Sequence, residues 1–452
     1  MNIIIVGVGK VGYTLAKYLS VEEGNVTVID SKSTALDRIN NSLDVMCIKG
    51  NCTSLKVLSE AGVKDADLFI SVTSSDELNM LACLAAKKLG AKYTIARVRN
   101  PGYDEEITML TEAVGIDLVI NPEKAAAAEI SKLIKYPSVS SVDYFSEGRV
   151  SLIGFTIPES LYIEENRISD ISYIIGNILI CGIEKEDEFI IPNGDYIFEK
   201  GDKAYIIGEH KQIQEFFKRL GKYKKKIKTA MIVGGGKISY YLAKVINDIG
   251  VNTKIIEMNI DKCQELTELL PDSIIINGDG MDEGLVLSES IEESDSFITL
   301  TNRDEDNLIA SLFAHKMKVN NIITKITRDN YKDIAKSIGI NSIIDPKLIT
   351  ANKIIKYARS LRGSRQSEIE NIYKICNEKA EAIEFIVSDS TKNIKKKFKD
   401  ISLKDNCIIA TIVRNKDIII PTGDDYLEIN DKVIIVNSDS KPLELNDIFI
   451  GE

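Results

Sequence analysis

The chain has 452 residues, of which 44% are hydrophobic and 28% charged, and its formal net charge is -11. That length fits two to four compact domains, and the composition is that of globular protein, not of a disordered segment. The acidic balance argues against nucleic acid as a main partner, because such binding rests on neutralised phosphates. No run of 18 or more apolar residues occurs, so no membrane-spanning helix is expected.

The chain opens MNIIIVGVGK, without a basic stretch, apolar segment and cleavage site, so no signal peptide is expected. The seven cysteines (47, 52, 83, 181, 263, 376 and 407) are scattered and form no CxxC, and the two histidines are His210 and His315. Reduced, mostly buried thiols in a cytoplasmic protein are expected, with no metal site.

Taken in chain order, Ile3–Val6 reads as a strand that runs into Gly7-Val8-Gly9-Lys10-Val11-Gly12, a GxGxxG. Apolar residues at helical spacing follow: Val11, Leu15 and Leu19. Gly7 permits the tight turn, Gly9 lets backbone approach a pyrophosphate, and Gly12 allows close packing of helix on strand. The N–H groups opening the helix then face the anion with the favourable end of its dipole. A second strand, Val26–Ile29, ends at Asp30, whose carboxylate accepts from ribose hydroxyls and repels a 2′-phosphate; NAD or an adenosine nucleotide is favoured over NADP. The alternative is a sheet of this kind that has lost its ligand.

Strands at Val45–Ile48 and Leu68–Val72 lead to Gly50-Asn51-Cys52 and Thr73-Ser74, which line the crevice at the carboxyl edge of such a sheet. Asp76-Glu77 opens the next helix, where acids complement the dipole, and Leu78, Leu81 and Ala85 continue it. Arg97 lies in a fifth strand, Thr94–Val98, and suits either a phosphate or a neighbouring carboxylate. A sixth strand, Leu118–Ile120, precedes Asn121-Pro122 and a helix rich in alanine (Ala125–Ala128) that suits close helix packing. Around Tyr136-Pro137 the helical rhythm stops, and a strand-rich stretch with turn signals at Pro192-Asn193-Gly194 and Lys200-Gly201-Asp202 reads as a small α+β module. A basic linker closes this half with Lys218, Arg219, Lys222, Lys224, Lys225, Lys226 and Lys228. With Lys395-Lys396-Lys397 it suits solvent or anionic lipid.

The pattern then repeats at an offset of about 227 to 229 residues. AMIVGGGKIS answers IIIVGVGKVG, DSFITLTNRDEDN answers DLFISVTSSDELN, and IIPTGDDYLEINDKVIIV answers IIPNGDYIFEKGDKAYIIG. Gly234-Gly235-Gly236-Lys237-Ile238-Ser239 keeps the first two critical glycines and Glu257 keeps the acid, while Ser239 replaces the third glycine. The expected fold is α/β: two doubly wound Rossmann-type parallel sheets, each followed by a small α+β domain. The expected domains are 1–135, 136–220, a linker at 221–228, 229–360 and 366–452. No GxSxG, Cys–His pair, metal cluster or P-loop appears, so no catalytic residue is assigned and an NAD-dependent oxidoreductase is the weaker alternative.

IIIVGVGKVGYTLAKYL, Asp30, ISVTSSDELNMLACLAAKKLGAKYTIARVRNPGY and DLVINPEKAAAAEI together resemble the regulator-of-potassium-conductance (RCK) family, and the strand-rich modules resemble its companion C-terminal domain. The resemblance covers nearly the whole chain, twice. It implies a gating ring, usually a homotetramer, at the cytoplasmic inner face of the membrane beneath a potassium-uptake subunit of the Trk type; the alternative is a different cation transporter. It also implies that NAD(H) or ATP/ADP binds as a regulatory ligand. Its ligand contacts fall on Gly7, Val8, Gly9, Lys10, Val11, Asp30, Asn51, Cys52, Thr73, Ser74 and Arg97. In the second half they fall on Gly234, Gly235, Gly236, Lys237, Ile238, Glu257, Asp279, Thr301, Asn302 and Lys325. Ser239 and Lys325 depart from the pattern where the first half has Gly12 and Arg97.

Overall fold

In the computed structural model, the described residues are 1–23, 25–103, 111, 115–136, 139–158, 167–186, 188–220, 226–340, 342–363, 369–376, 379–438, 442 and 444–450. Pro137 and the linker lysines Lys222, Lys224 and Lys225 lie outside them. Two compact units emerge: Met1–Ser131 with Thr229–Ala358, and Lys132–Lys228 with Arg359–Glu452.

The first unit holds two six-stranded parallel sheets. In the first sheet, β1 (Asn2–Val6), β2 (Asn25–Asp30), β3 (Met46–Lys49), β4 (Leu68–Ser71), β5 (Tyr93–Arg97) and β6 (Leu118–Ile120) run in the order β3-β2-β1-β4-β5-β6. Chain order reverses between β1 and β4, so a crevice opens there at the carboxyl ends. Register places Val6 beside Ile29 and Ser71, and Arg97 beside Ile120. Helices cover both faces. For that reason β1 and β4 are continuous apolar runs, with Ile3, Ile4, Ile5 and Val6 at most 2% exposed and Leu68, Phe69 and Ile70 fully buried. The sequence-predicted strand ends move by at most one residue: β3 starts at Met46, not Val45, and β5 ends at Arg97, not Val98. Such ends are set by ladder hydrogen bonds that periodicity does not report.

The helix Asp76–Leu89 illustrates the local coding. Ser75 caps it, its hydroxyl accepting from Leu78 N at 3.2 Å; Asp76 and Glu77 fill the first turn, Lys87 and Lys88 the last, and Gly90 ends it at φ +119°. Of the apolar residues spaced along it, Leu78 and Leu81 stay 41% and 50% exposed, while Ala82, Cys83 and Ala86 are buried on the sheet.

Strand for strand, the second sheet repeats this plan. β12 (Thr229–Val233), β13 (Asn252–Glu257), β14 (Ser273–Asn277), β15 (Ser296–Thr299), β16 (Asn321–Lys325) and β17 (Ser342–Ile344) are ordered β14-β13-β12-β15-β16-β17.

The second unit holds two five-stranded antiparallel sheets. β7 (Ser141–Phe145), β8 (Val150–Thr156), β9 (Ile178–Lys185), β10 (Glu188–Ile190) and β11 (Lys203–Glu209) form one; β18 (Ile369–Ile375), β19 (Ala380–Ile386), β20 (Cys407–Arg414), β21 (Asp417–Ile419) and β22 (Lys432–Asn437) form the other. Their orders are β10-β9-β11-β8-β7 and β18-β19-β22-β20-β21. Their inner faces share one apolar cluster, in which Phe145, Val150, Cys181 and Tyr205 meet Cys376, Ala382, Ala410 and Ile434. The Cys376 amide donates to the Tyr205 hydroxyl at 3.3 Å, and the Tyr373 hydroxyl donates to the Tyr144 carbonyl at 2.8 Å. Neither module therefore completes its core alone.

Candidate functional site

The first glycine loop runs from the end of β1 into the helix Lys10–Glu23. Gly7 has φ +88°, and a Cβ on it would lie 2.9 Å from the Thr73 amide nitrogen, so the left-handed turn and the contact both require glycine. A Cβ on Gly12 would stand 1.9 Å from the Gly7 carbonyl oxygen. At Gly9 nothing lies within 4 Å of that position, and the loop backbone faces open space there. Asp30 closes this wall from the end of β2: its Oδ2 accepts from the Val8 amide at 2.7 Å and its Oδ1 from the Lys32 amide at 2.8 Å. Two backbone donors thus fix the carboxylate, and each oxygen keeps a lone pair for a hydroxyl.

Thr73, beyond the end of β4, forms the opposite wall. Asn79, fully buried on the following helix, holds it: Asn79 Oδ1 accepts from Thr73 N at 2.8 Å and Thr73 Oγ1 at 2.7 Å, and Asn79 Nδ2 donates to the Thr73 and Arg97 carbonyls at 3.3 and 2.8 Å. Arg97 Nη1 donates to the Thr73 carbonyl at 3.0 Å, while its buried Nε has no acceptor among the described residues. Burial first, and the neighbouring Arg99 second, push this guanidinium below its ordinary value. A buried donor without an acceptor, beside an open glycine backbone, fits an anion that arrives with a ligand.

The second half has the same parts. Gly234 has φ +100° with its Cβ position 3.0 Å from Thr301 N, and Gly236 faces open space. Glu257 Oε2 accepts from Gly235 N at 2.7 Å and Oε1 from Asn259 N at 2.9 Å, as Asp30 does in the first half. Asn307 binds Thr301 N at 2.9 Å and donates to the Lys325 carbonyl at 3.0 Å. The Ser239 hydroxyl donates to the Gly234 carbonyl, so here the helix start and the loop stand far enough apart for a side chain. No side chain caps the helix Lys237–Asp248 at Gly236, which leaves its first amides to an anion.

Each half also presents itself to the other. Lys237, next to the second glycine loop, turns its ammonium away to the Arg99 carbonyl at 3.4 Å, and the Tyr241 hydroxyl meets Asn121 Nδ2 at 2.9 Å. A cleft of about 400 Å³ lies there, lined by Ser74, Ser75, Asp76, Glu77, Arg99, Asn100 and Lys237. Arg99 is held by Glu123, with Nε and Nη2 at 2.7 and 2.6 Å from Oε1.

The residues singled out by the sequence divide by position. Gly7, Gly12, Asp30, Thr73 and Arg97 come together around the first crevice, as do Gly234, Gly235, Ser239, Glu257, Thr301 and Lys325 around the second, while Ser74 lines the cleft beside Lys237. Asn51 and Asp279, after β3 and β14, use a side-chain oxygen within their own turns, on Thr53 N at 3.0 Å and Met281 N at 2.8 Å. Cys52 is 7% exposed in the apolar core; burial, and then the Asp30 charge, push its thiol up. Asp76 and Asp304 do more than complement a dipole: Asp76 accepts from the Arg99 and Asn100 amides at 2.9 Å, and Asp304 from those of Thr327 and Arg328 at 3.0 Å. Ala125, Ala126 and Ala127 are buried within this chain. His315 is exposed, and His210 sits in the second unit against the Tyr136 hydroxyl. Of the basic run, Lys397 pairs with Asp424 at 3.0 Å. Motif spacing does not single out Asn79 and Asn307, although both stand in the repeated segments DELN and DEDN.

These features define a tandem protein with two nucleotide-binding-type crevices in parallel sheets. Family models described as TrkA-N domain match residues 3–122 and 230–346, and one described as TrkA-C domain matches 152–221. The Trk system potassium uptake protein TrkA homolog 1 of Methanosarcina mazei is 32% identical over 99% of this chain and 100% of its own length. The Trk system potassium uptake protein TrkA of Halomonas elongata is 32% identical over 98% and 96%. The chain belongs to the TrkA family. Among solved structures, the GsuK channel bound to NAD shares the fold, with a TM-score of 0.62 at 16% identity over 97% of this chain and 76% of that one.

Proposed function

We propose that this chain is a peripheral regulatory subunit that binds NAD(H) or ADP/ATP in its glycine-loop crevices and gates a membrane potassium-uptake protein of the Trk type from the cytoplasmic face. It performs no chemistry on the nucleotide. What carries this reading is one constellation built twice: an open glycine backbone, an acid fixed by two amides, and a buried cation on the next wall. Gly9, Lys10, Asp30, Thr73 and Arg97 hold the first ligand; Gly236, Glu257, Thr301 and Lys325 hold the second. The names of the relatives above, Trk system potassium uptake proteins, support the transport role. The domain limits 1–135, 136–220, 229–360 and 366–452 belong to the same proposal.

The mechanism is a population shift. A nucleotide moves the gate only by the difference between its affinities for the two conformations. Glycine-loop amides and the ribose-binding acid lie on different strands, so a ligand bridging them favours whichever state sets their spacing correctly.

Gly9→Asp tests it. The new side chain meets open space at its Cβ but places a carboxylate where a pyrophosphate sits, so NAD and ADP binding in the first crevice should fall at least a hundredfold by calorimetry. Potassium uptake by cells carrying the variant should lose the part of its nucleotide dependence that runs through the first crevice. Unchanged binding and uptake would overturn the proposal.

Ring assembly is the second part. Leu81 on the helix Asp76–Leu89 and Ile309 at the matching position on Asp304–Lys316 are 50% and 60% exposed, with Leu78 and Leu312 beside them. Paired apolar surface of this kind suits self-association into the proposed homotetramer. Leu81→Asp with Ile309→Asp should reduce the mass measured by light scattering from a tetramer to smaller species; an unaltered tetramer would exclude these helices from the assembly.

A further inference from the structure

The two crevices differ in charge where their phosphate ends approach one another. Asn121-Pro122-Glu123, which opens the helix Pro122–Lys135, is answered by Asp345-Pro346-Lys347, which opens Pro346–Gly363. At one position, then, a carboxylate in the first half is replaced by an ammonium group in the second. Glu123 is 9% exposed; its Oε1 neutralises Arg99, and its Oε2 has no donor among the described residues. That oxygen repels any further phosphate brought to the first crevice.

The second crevice is the converse. The Lys347 ammonium donates to the Thr327 carbonyl at 2.8 Å, and its neighbour Asp345 is already taken by Lys332 at 2.8 Å. Lys325, 9% exposed, donates to the Leu300 carbonyl at 3.4 Å. Asp304 turns its carboxylate to the Thr327 and Arg328 amides, not to either lysine. Neither ammonium has a carboxylate in salt-bridge contact among the described residues. Burial pushes both below the ordinary lysine value, Asp304 opposes this in both, Asp345 opposes it at Lys347 and Glu123 at Lys325, and Lys10 from the first half repels both. Lys325 and Lys347 thus bring two ammonium groups, each bonded only to a backbone carbonyl, to the end of β16 and the loop after it, an arrangement that a polyanion relieves.

We propose that the second crevice is built for a nucleoside triphosphate, its terminal phosphate seated beside Lys325 and Lys347, and that the first crevice, with Glu123 at the matching position, takes a nucleotide without that tail. This rests on the nucleotide-sensor reading above and assigns a different ligand class to each half. The chain then responds to two nucleotide pools at once.

The test uses the full chain with ATP and ADP as probes, by titration calorimetry. In Gly9→Asp protein, where only the second crevice is open, ATP should bind at least tenfold tighter than ADP. Adding Lys347→Glu should bring that ratio close to one while ADP still binds, and Lys347→Gln should fall between. Retained ADP binding shows that the variant is folded. In Gly236→Asp protein, with only the first crevice open, ATP should bind no tighter than ADP. Equal affinities in the Gly9→Asp protein, or a ratio that survives Lys347→Glu, would overturn the assignment. Failure of the unaltered chain to bind ATP or ADP would overturn this inference, and failure to bind NAD as well would overturn the nucleotide-sensor reading itself.

Discussion

Gly12→Ala is expected to cost the first crevice roughly tenfold to a thousandfold in nucleotide affinity while the second keeps its own. The added Cβ would lie 1.9 Å from the Gly7 carbonyl oxygen, and no relaxed contact of that kind exists, so the start of the helix Lys10–Glu23 must move away from the loop. Its first amides and the loop amide at Gly9 then no longer converge on one pyrophosphate. A hydrogen bond to a charged group contributes about 1.5–3 kcal/mol, so losing one at the weak end gives about tenfold and losing two of about 2 kcal/mol each gives about a thousandfold. The second half shows that the chain tolerates a side chain at this place: Ser239 stands there, its hydroxyl on the Gly234 carbonyl. The prediction therefore concerns binding and not folding. Titration of Gly12→Ala in a Gly236→Asp background isolates the first crevice; an affinity within twofold of the parent would show that loop–helix spacing does not set binding.

Much of this architecture is legible in the sequence because its determinants are local. The β1 glycine turn, the acid ending β2 and the caps of Asp76–Leu89 each involve residues a few positions apart or one strand away, and the duplication states them twice. What escapes the sequence lies at longer range. Lys237 reads as part of its own loop, yet its ammonium meets Arg99, 138 residues earlier. Leu78 and Leu81 carry helical spacing, but periodicity reports only that a face is apolar, not that this chain covers it; both are exposed. The two small modules read as separate domains, and their shared core around Tyr205 and Ile434 joins residues more than 200 positions apart in sequence. Glu123 and Lys347 look like ordinary first-turn helix residues, yet one holds Arg99 and the other reaches the Thr327 carbonyl.

Asn79 is the clearest case, and it carries the second large effect. An asparagine one turn into a helix is normally a neutral or mildly unfavourable surface residue. Here it is fully buried, and its amide ties the end of β4 to the end of β5 through the Thr73 backbone and the Arg97 carbonyl. Asn79→Ala removes the acceptor for the Thr73 amide and the donor to the Arg97 carbonyl, and leaves both groups without these partners. Each orphaned group costs about 1–3 kcal/mol, so local stability should fall by roughly 2–6 kcal/mol. Gly7 packs directly on Thr73, so the loss spreads to the glycine loop and weakens nucleotide binding at a distance from any ligand atom. Hydrogen exchange of the Thr73 amide reads the effect directly: its protection should drop by at least about thirtyfold, or about 2 kcal/mol. Asn307→Ala should do the same at Thr301, where the bond is 2.9 Å. Asn79→Asp separates the two roles, because it keeps an acceptor for the Thr73 amide and loses the donor to Arg97. Protection at Thr73 should then recover in part while binding stays weak. If Asn79→Ala leaves both exchange and affinity at the parent level, the amide does not hold the crevice wall, and Thr73 is positioned by the strand alone.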